Sequence, residues 1–155
     1  MELLIRPATP ADIPAVIALA QEATAAAQWS QAEYERIFLR DGTPGRLALV
    51  VEEETGIAGF LIARALDIEW EIENIVVAGP ARRRGLGTGL VGELLRLARL
   101  RGAKAIFLEV RESNRAARAL YEKSGFTVVG DRKGYYKNPD ENAVVYRLDL
   151  TGFAS

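Results

Sequence analysis

The most constraining stretch of the sequence is Ile75-Val76-Val77-Ala78-Gly79-Pro80-Ala81-Arg82-Arg83-Arg84-Gly85-Leu86-Gly87-Thr88-Gly89-Leu90. A β-branched run ends, a Gly-Pro break follows, and an Arg- and Gly-rich turn opens into a helical-period pattern. A strand, a turn and a helix start in that order aim several backbone N–H groups at one spot. The first N–H groups of a helix have no partner inside it, and the macrodipole favours an anion there. Gly85 and Gly87 carry no side chains, so a phosphate could approach the backbone closely. The turn alone fits equally well a basic connection that binds nothing.

The residue inventory removes whole classes of chemistry. The 155 residues contain neither cysteine nor histidine, which excludes disulfides, thiol nucleophiles, imidazole bases and the usual zinc sites. No metal site is expected, and acid–base work falls to carboxylates, tyrosine, lysine or water. A formal net charge of −1 gives no reason to expect nucleic acid or a membrane as partner. Met1 to Pro7 lacks the basic start and apolar run of a signal peptide. Leu86 to Leu100 is too interrupted by Glu93, Arg96 and Arg99 to span a bilayer. A cytoplasmic protein of one domain, residues 1–155, is expected.

Along the chain, residues 2–6 read as a first strand. Thr9-Pro10-Ala11-Asp12 is a capping box opening a helix with Ile13, Val16, Ile17 and Ala20 on one face. Ser30-Gln31-Ala32-Glu33 is a second box, and Trp29 with Tyr34 takes the positions of a hydrophobic staple; this helix is expected to end at Asp41-Gly42. Strands follow at about 47–53 and 57–64, joined by a hairpin-length turn. In the strand from about Ile68 to Val77, Asp67, Glu69, Glu71 and Glu73 alternate against Trp70 and Ile72, but Ile75-Val76-Val77 breaks the alternation. A β-bulge near Glu73 to Ile75 would produce that change of phase. After the helix from Leu86, stopped by Gly102, comes a strand at 104–111 with Ile106, Leu108 and Val110 opposite Phe107, Glu109 and Arg111. Ser113 or Asn114 caps a short helix through Tyr121, ended by Gly125. Residues 126–129 and 144–150 read as a closing strand pair around a polar connection holding Tyr135 and Tyr136.

Three features lie in sequence: Arg82-x-x-Gly85-x-Gly87, then Leu108-Glu109-Val110, then Asn114 through Tyr121 to Gly125-Phe126. Together they resemble the GNAT acetyltransferase superfamily, whose signature is Arg/Gln-x-x-Gly-x-Gly/Ala on a strand-to-helix turn. The string at 108–126 looks like that of the bacterial ribosomal-protein-alanine N-acetyltransferases. The resemblance implies a mixed α/β fold: a mostly antiparallel twisted sheet with flanking helices and one bulged, splayed parallel strand pair. It implies acetyl-CoA as cofactor, its pyrophosphate held by Arg82, Arg83, Arg84, Gly85, Leu86, Gly87 and Thr88. The cofactor arm would lie along Ile75, Val76 and Val77 and touch Asn114, Ala117 and Tyr121.

The implied reaction is attack of a protein N-terminal amine on the acetyl thioester, with a ribosomal protein as the best single acceptor. A peptide α-amine has a pKa of roughly 7.7–8.0, so it must lose a proton first. Glu109 carries over as the base, a backbone N–H near Val77 as the oxyanion donor, and Tyr121 as the acid for the CoA thiolate. Glu109 pairing with Arg111 or a neighbouring arginine at the sheet surface, and Tyr121 as a core residue, are the bland alternatives. Glu71 and Glu73 are rival bases; the position of Glu73 is usually apolar in the N-terminal acetyltransferases. By resemblance Trp29, Tyr135 and Tyr136 flank the acceptor groove, although the spacing of Trp29 makes it a staple first. A small-amine or lysine acceptor, a non-catalytic acyl-CoA-binding module, and nucleic-acid binding through Arg82-Arg83-Arg84 with Arg96, Arg99 and Arg101 are the rivals, in that order.

Overall fold

The computed structural model describes residues 4–23, 29–38, 45–79, 85–137 and 140–150. Seven strands, β1 (Leu4–Pro7), β2 (Arg46–Glu53), β3 (Gly56–Leu66), β4 (Glu69–Val77), β5 (Ala105–Arg111), β6 (Thr127–Tyr136) and β7 (Glu141–Asp149), form one sheet in the order β1-β2-β3-β4-β5-β7-β6. Every neighbouring pair is antiparallel except β4–β5. The mixed sheet expected from the sequence is therefore present.

Helices cover both faces. On one side α1 (Ile13–Glu22) and α2 (Gln31–Phe38) bury Ile13, Val16, Tyr34 and Ile37 against Val50, Phe60, Ile62 and Val76. On the other, α3 (Leu86–Leu100) inserts Leu86, Leu90, Leu94 and Ala98 against Leu61, Ile72, Ile106 and Leu108. Here too α4 (Arg115–Lys123) packs Leu120 and Tyr121. Because β3 is covered on both faces, its middle reads as an unbroken apolar run rather than an alternation.

The local signals are realised. A short 3₁₀ turn over Pro10–Asp12 precedes α1, with the Thr9 N–H donating to Asp12 at 2.8 Å, while Asp12 also receives a two-pronged ion pair from Arg6. The Ser30–Glu33 box closes reciprocally at 3.3 and 3.2 Å, and Trp29 stacks near Tyr34 with ring centroids 5.6 Å apart. The expected helix end at Asp41-Gly42 lies outside the described residues. Asp67 belongs to the turn before β4, with φ +57°, not to the acidic strand face.

One expectation fails. Tyr135 and Tyr136 sit at the end of β6, a ten-residue strand, not in a polar connection between short strands. Gly130-Asp131-Arg132-Lys133-Gly134 has the composition of a turn, but β6 is the sheet's edge and nearly all of it is exposed, so no apolar alternation is required. Among the described residues no helix is long and apolar enough to cross a membrane.

Candidate active site

The site begins where two strands stop pairing. The β3–β4 register runs from Ala63↔Ile72 directly to Ile62↔Asn74, leaving Glu73 as an extra residue. This is the expected bulge, and it exchanges the faces of β4. Before it, Trp70 and Ile72 point toward α3; after it, Ile75 and Val77 do, while Val76 joins the α1–α2 side. The parallel β4–β5 ladder ends at Ile72↔Leu108, although β4 continues to Val77 and β5 to Arg111. A wedge therefore opens between them, with Ile75 and Val77 on one side and Glu109, the residue after the last pair, on the other.

The first turn of α3 stands beyond the end of β4. Its first bond runs from the Gly89 N–H to the Gly85 carbonyl at 2.9 Å, so the N–H groups of Leu86, Gly87 and Thr88 have no acceptor inside the helix. Gly85 has φ +79°, a left-handed conformation that favours glycine. Gly87 also serves packing: a Cβ there would come within 3.1 Å of a Leu120 methyl, which would have to give way by a few tenths of an ångström. It lets α3 and α4 close up, rather than only clearing the way for a phosphate. Arg82, Arg83 and Arg84 lie outside the described residues.

Beside the wedge, on the sheet face toward α1 and α2, Glu71, Glu73 and Glu109 are three carboxylates in different states. Glu73 is gripped by Arg46 at 2.6 Å, with Arg64 at 3.6 Å. Arg46 in turn lies 5.7 Å from the Trp29 ring, so Trp29 is a staple that also backs this pair. Glu109 is half-buried and pairs with Arg132, whose Nη1 reaches both carboxylate oxygens at 3.1 Å. The pairing with a neighbouring arginine at the sheet surface is therefore present, through Arg132 rather than Arg111, which pairs with Glu141. Glu71 makes no hydrogen bond or ion pair among the described residues, and burial, then the charges of Glu73 and Glu109, push its carboxyl above the usual range.

The α4 side completes the site. Asn114 caps the helix, its Oδ1 accepting from the Ala117 N–H at 3.1 Å. Tyr121, one turn on, is buried between Phe126 and Tyr146 at ring distances of 5.8 and 6.2 Å, and burial pushes its phenol well above the ordinary value. Tyr136 is half-buried under Arg111, 4.5 Å away, and burial followed by the charge of Glu109 pushes it up to about 12. Tyr135 is exposed, with Arg132 4.1 Å from its ring. The charge of Glu109 thus reaches both Glu71 and Tyr136. Glu71, Glu109, Tyr121 and Tyr136 are all legible in the sequence, whereas Arg46, Arg64, Arg132 and the buried Asn74 are not, because cross-strand partners leave no local spacing signal.

The model of the acetyltransferase (GNAT) family matches residues 13–126. The chain is 33% identical over 142 residues to the ribosomal protein bS18-alanine N-acetyltransferase of Escherichia coli K12, spanning 90% of this chain and 93% of that protein. The crystal structure of the ribosomal-protein-S18-alanine N-acetyltransferase from Escherichia coli matches with a TM-score of 0.85 at 29% identity, covering 99% of each chain. Arabidopsis thaliana NAA60 in complex with acetyl-CoA shares the fold, with a TM-score of 0.84 at 15% identity and coverage of 97% and 100%. With the wedge, the glycine turn and the capped α4 in the order the family requires, the chain belongs to the GNAT family of acetyltransferases.

Proposed function

We propose that the chain is an acetyl-CoA-dependent N-acetyltransferase whose acceptor is a protein N-terminal α-amine, of the ribosomal-protein-alanine type. The observation that carries this reading is Glu109, a half-buried carboxylate one residue past the last β4–β5 pair, in a chain that has no histidine. The wedge is apolar on its Ile75 and Val77 side, which suits a pantetheine arm, and the free N–H groups of the α3 first turn suit a pyrophosphate. Acetyl-CoA supplies the activated acyl group. Backbone of Ile75, Val76 and Val77 flanks its arm; Arg82 to Thr88 hold its phosphates; Asn114 and Ala117 close the α4 side.

Glu109 accepts the proton of the incoming ammonium, directly or through water. The neutral nitrogen attacks the thioester carbon, and a backbone N–H near Val77 receives the oxyanion. As the C–S bond breaks, Tyr121 gives its proton to the CoA sulfur. A phenol is protonated at neutral pH, and burial only strengthens that, so a proton is there to give. Trp29, Glu71, Glu73, Tyr135 and Tyr136 line the acceptor side. An acceptor of this type is cytoplasmic. Glu73 is the poorest rival base, being held by two arginines. The specific observation favouring Glu71 as an alternative base is that it lacks any ion-pair partner among the described residues.

Glu109→Gln tests the assignment. Turnover should fall about 10²-fold or more while acetyl-CoA affinity is unchanged, since a positioned general base contributes roughly 10²–10⁴-fold. Wild-type turnover in Glu109→Gln with loss in Glu71→Gln would move the base to β4.

A further inference from the structure

Arg132 is placed unlike an ordinary surface arginine. One of its terminal nitrogens lies 3.1 Å from both oxygens of Glu109, and its guanidinium stands 4.1 Å from the ring of Tyr135. A carboxylate on one side and an aromatic face on the other make a cation site, and a primary ammonium seeks the same two partners. Among the described residues, no second cation forms an ion pair with Glu109. Glu71 faces it from β4, Tyr136 from β6, and Val145 stands opposite on β7, while Arg111 on its own strand is committed to Glu141.

The bond is also built to let go. Arg132 is 54% exposed, and exposed ion pairs are weak. It stands on the edge strand, where the β6–β7 register slips between Arg132↔Ala143 and Tyr136↔Glu141. Two extra residues of β6 fall in that interval, so the segment that carries Arg132 and Tyr135 is not locked by a regular ladder.

Resting on the assignment of Glu109 as base, we propose that Arg132 determines specificity for amine over water. Without an acceptor it occupies the carboxylate that would otherwise activate water against the acyl thioester, and an arriving acceptor ammonium takes its place between Glu109 and Tyr135. The reaction held back is hydrolysis. A water oxygen attacks the thioester carbon as its proton passes to Glu109; the C–S bond then breaks, and the CoA sulfur takes a proton. Acetate and free CoA are the products, and no oxidant or reductant is involved.

The test is acetate production from acetyl-CoA by the full chain with no acceptor present. Wild type, Arg132→Met, Arg132→Lys, Glu109→Gln and the double variant Glu109→Gln/Arg132→Met are compared, with acetyl-CoA binding measured for each as the check that the fold is intact. Arg132→Met should raise acceptor-free hydrolysis at least about tenfold, a small part of what a positioned base contributes. The double variant should return to background, and Arg132→Lys, which keeps the cation, should stay near wild type. Hydrolysis by Arg132→Met at the wild-type rate would overturn the proposal, as would a rise that persists in the double variant. Peptide turnover of Glu109→Gln separates the two levels. If it is lost while Arg132→Met shows no added hydrolysis, the role of Arg132 alone fails; if it is retained, the base assignment fails first.

Discussion

Glu71, Glu73 and Glu109 are the same functional group on one sheet face, and their surroundings make them three different reagents. Glu73 is neutralised by Arg46 and Arg64, Glu109 is covered by Arg132, and Glu71 is half-buried with no ion pair of its own among the described residues, the more distant charges of Arg64 and Arg46 offsetting its burial only in part. A carboxyl whose folded pKa is raised costs stability when ionised, and that cost disappears as pH falls through the folded value. Glu71→Gln should therefore raise the midpoint of thermal unfolding at pH 7, with the gain over wild type shrinking as the pH is lowered. Asp12 has the opposite sign. Arg6 holds it below the ordinary carboxylate range, so it stabilises the fold above its unfolded value and loses that contribution as pH falls through the folded one. Asp12→Asn should cost about 1–3 kcal/mol at neutral pH. Denaturant titrations should show the difference closing below about pH 4.

At the scale of elements, one inserted residue organises the site. Glu73 lets β4 begin with Trp70 and Ile72 in the α3-side core and finish with Ile75 and Val77 there, and the parallel ladder ends at the same level. Removing Glu73 leaves every other side chain of β4 on its present face. The deletion should therefore fold cooperatively, with an unchanged far-UV circular dichroism spectrum, yet bind acetyl-CoA at least about tenfold more weakly because the wedge closes. Calorimetric titration of acetyl-CoA checks this, and wild-type affinity in a folded deletion would separate the bulge from binding. This bulge was legible in the sequence because a parity change in a buried strand has few other causes. The capping boxes and the Trp29–Tyr34 staple were legible for the same reason: fixed spacing enforces them. The far half of β6 was not, since an edge strand exposed along its length needs no pattern, and the partner of Glu109 went unread with it. Gly87 is legible as a place where a phosphate could approach the backbone, but its contact with Leu120 depends on where α4 packs, which spacing within the turn does not encode.

At the scale of the molecule, the seven-stranded sheet separates two kinds of surface around one opening. The α3 and α4 side offers helix N–H groups and an apolar wedge wall, fitting an extended anionic thioester. The opposite face offers carboxylates and the tyrosines at the end of β6, fitting a cation. A net charge of −1 and this acidic face are the reverse of what nucleic acid requires. The cation proposed for this face is a protein N-terminus. This assignment is tested most directly by thiol release from acetyl-CoA against matched acceptors: peptides with a free Ala or Ser N-terminus, the same peptides blocked, a lysine-containing blocked peptide, and a small polyamine. Turnover is expected with the free N-termini and none above background with the other three. Turnover with the blocked lysine peptide or the polyamine, and none with the free N-termini, would contradict it.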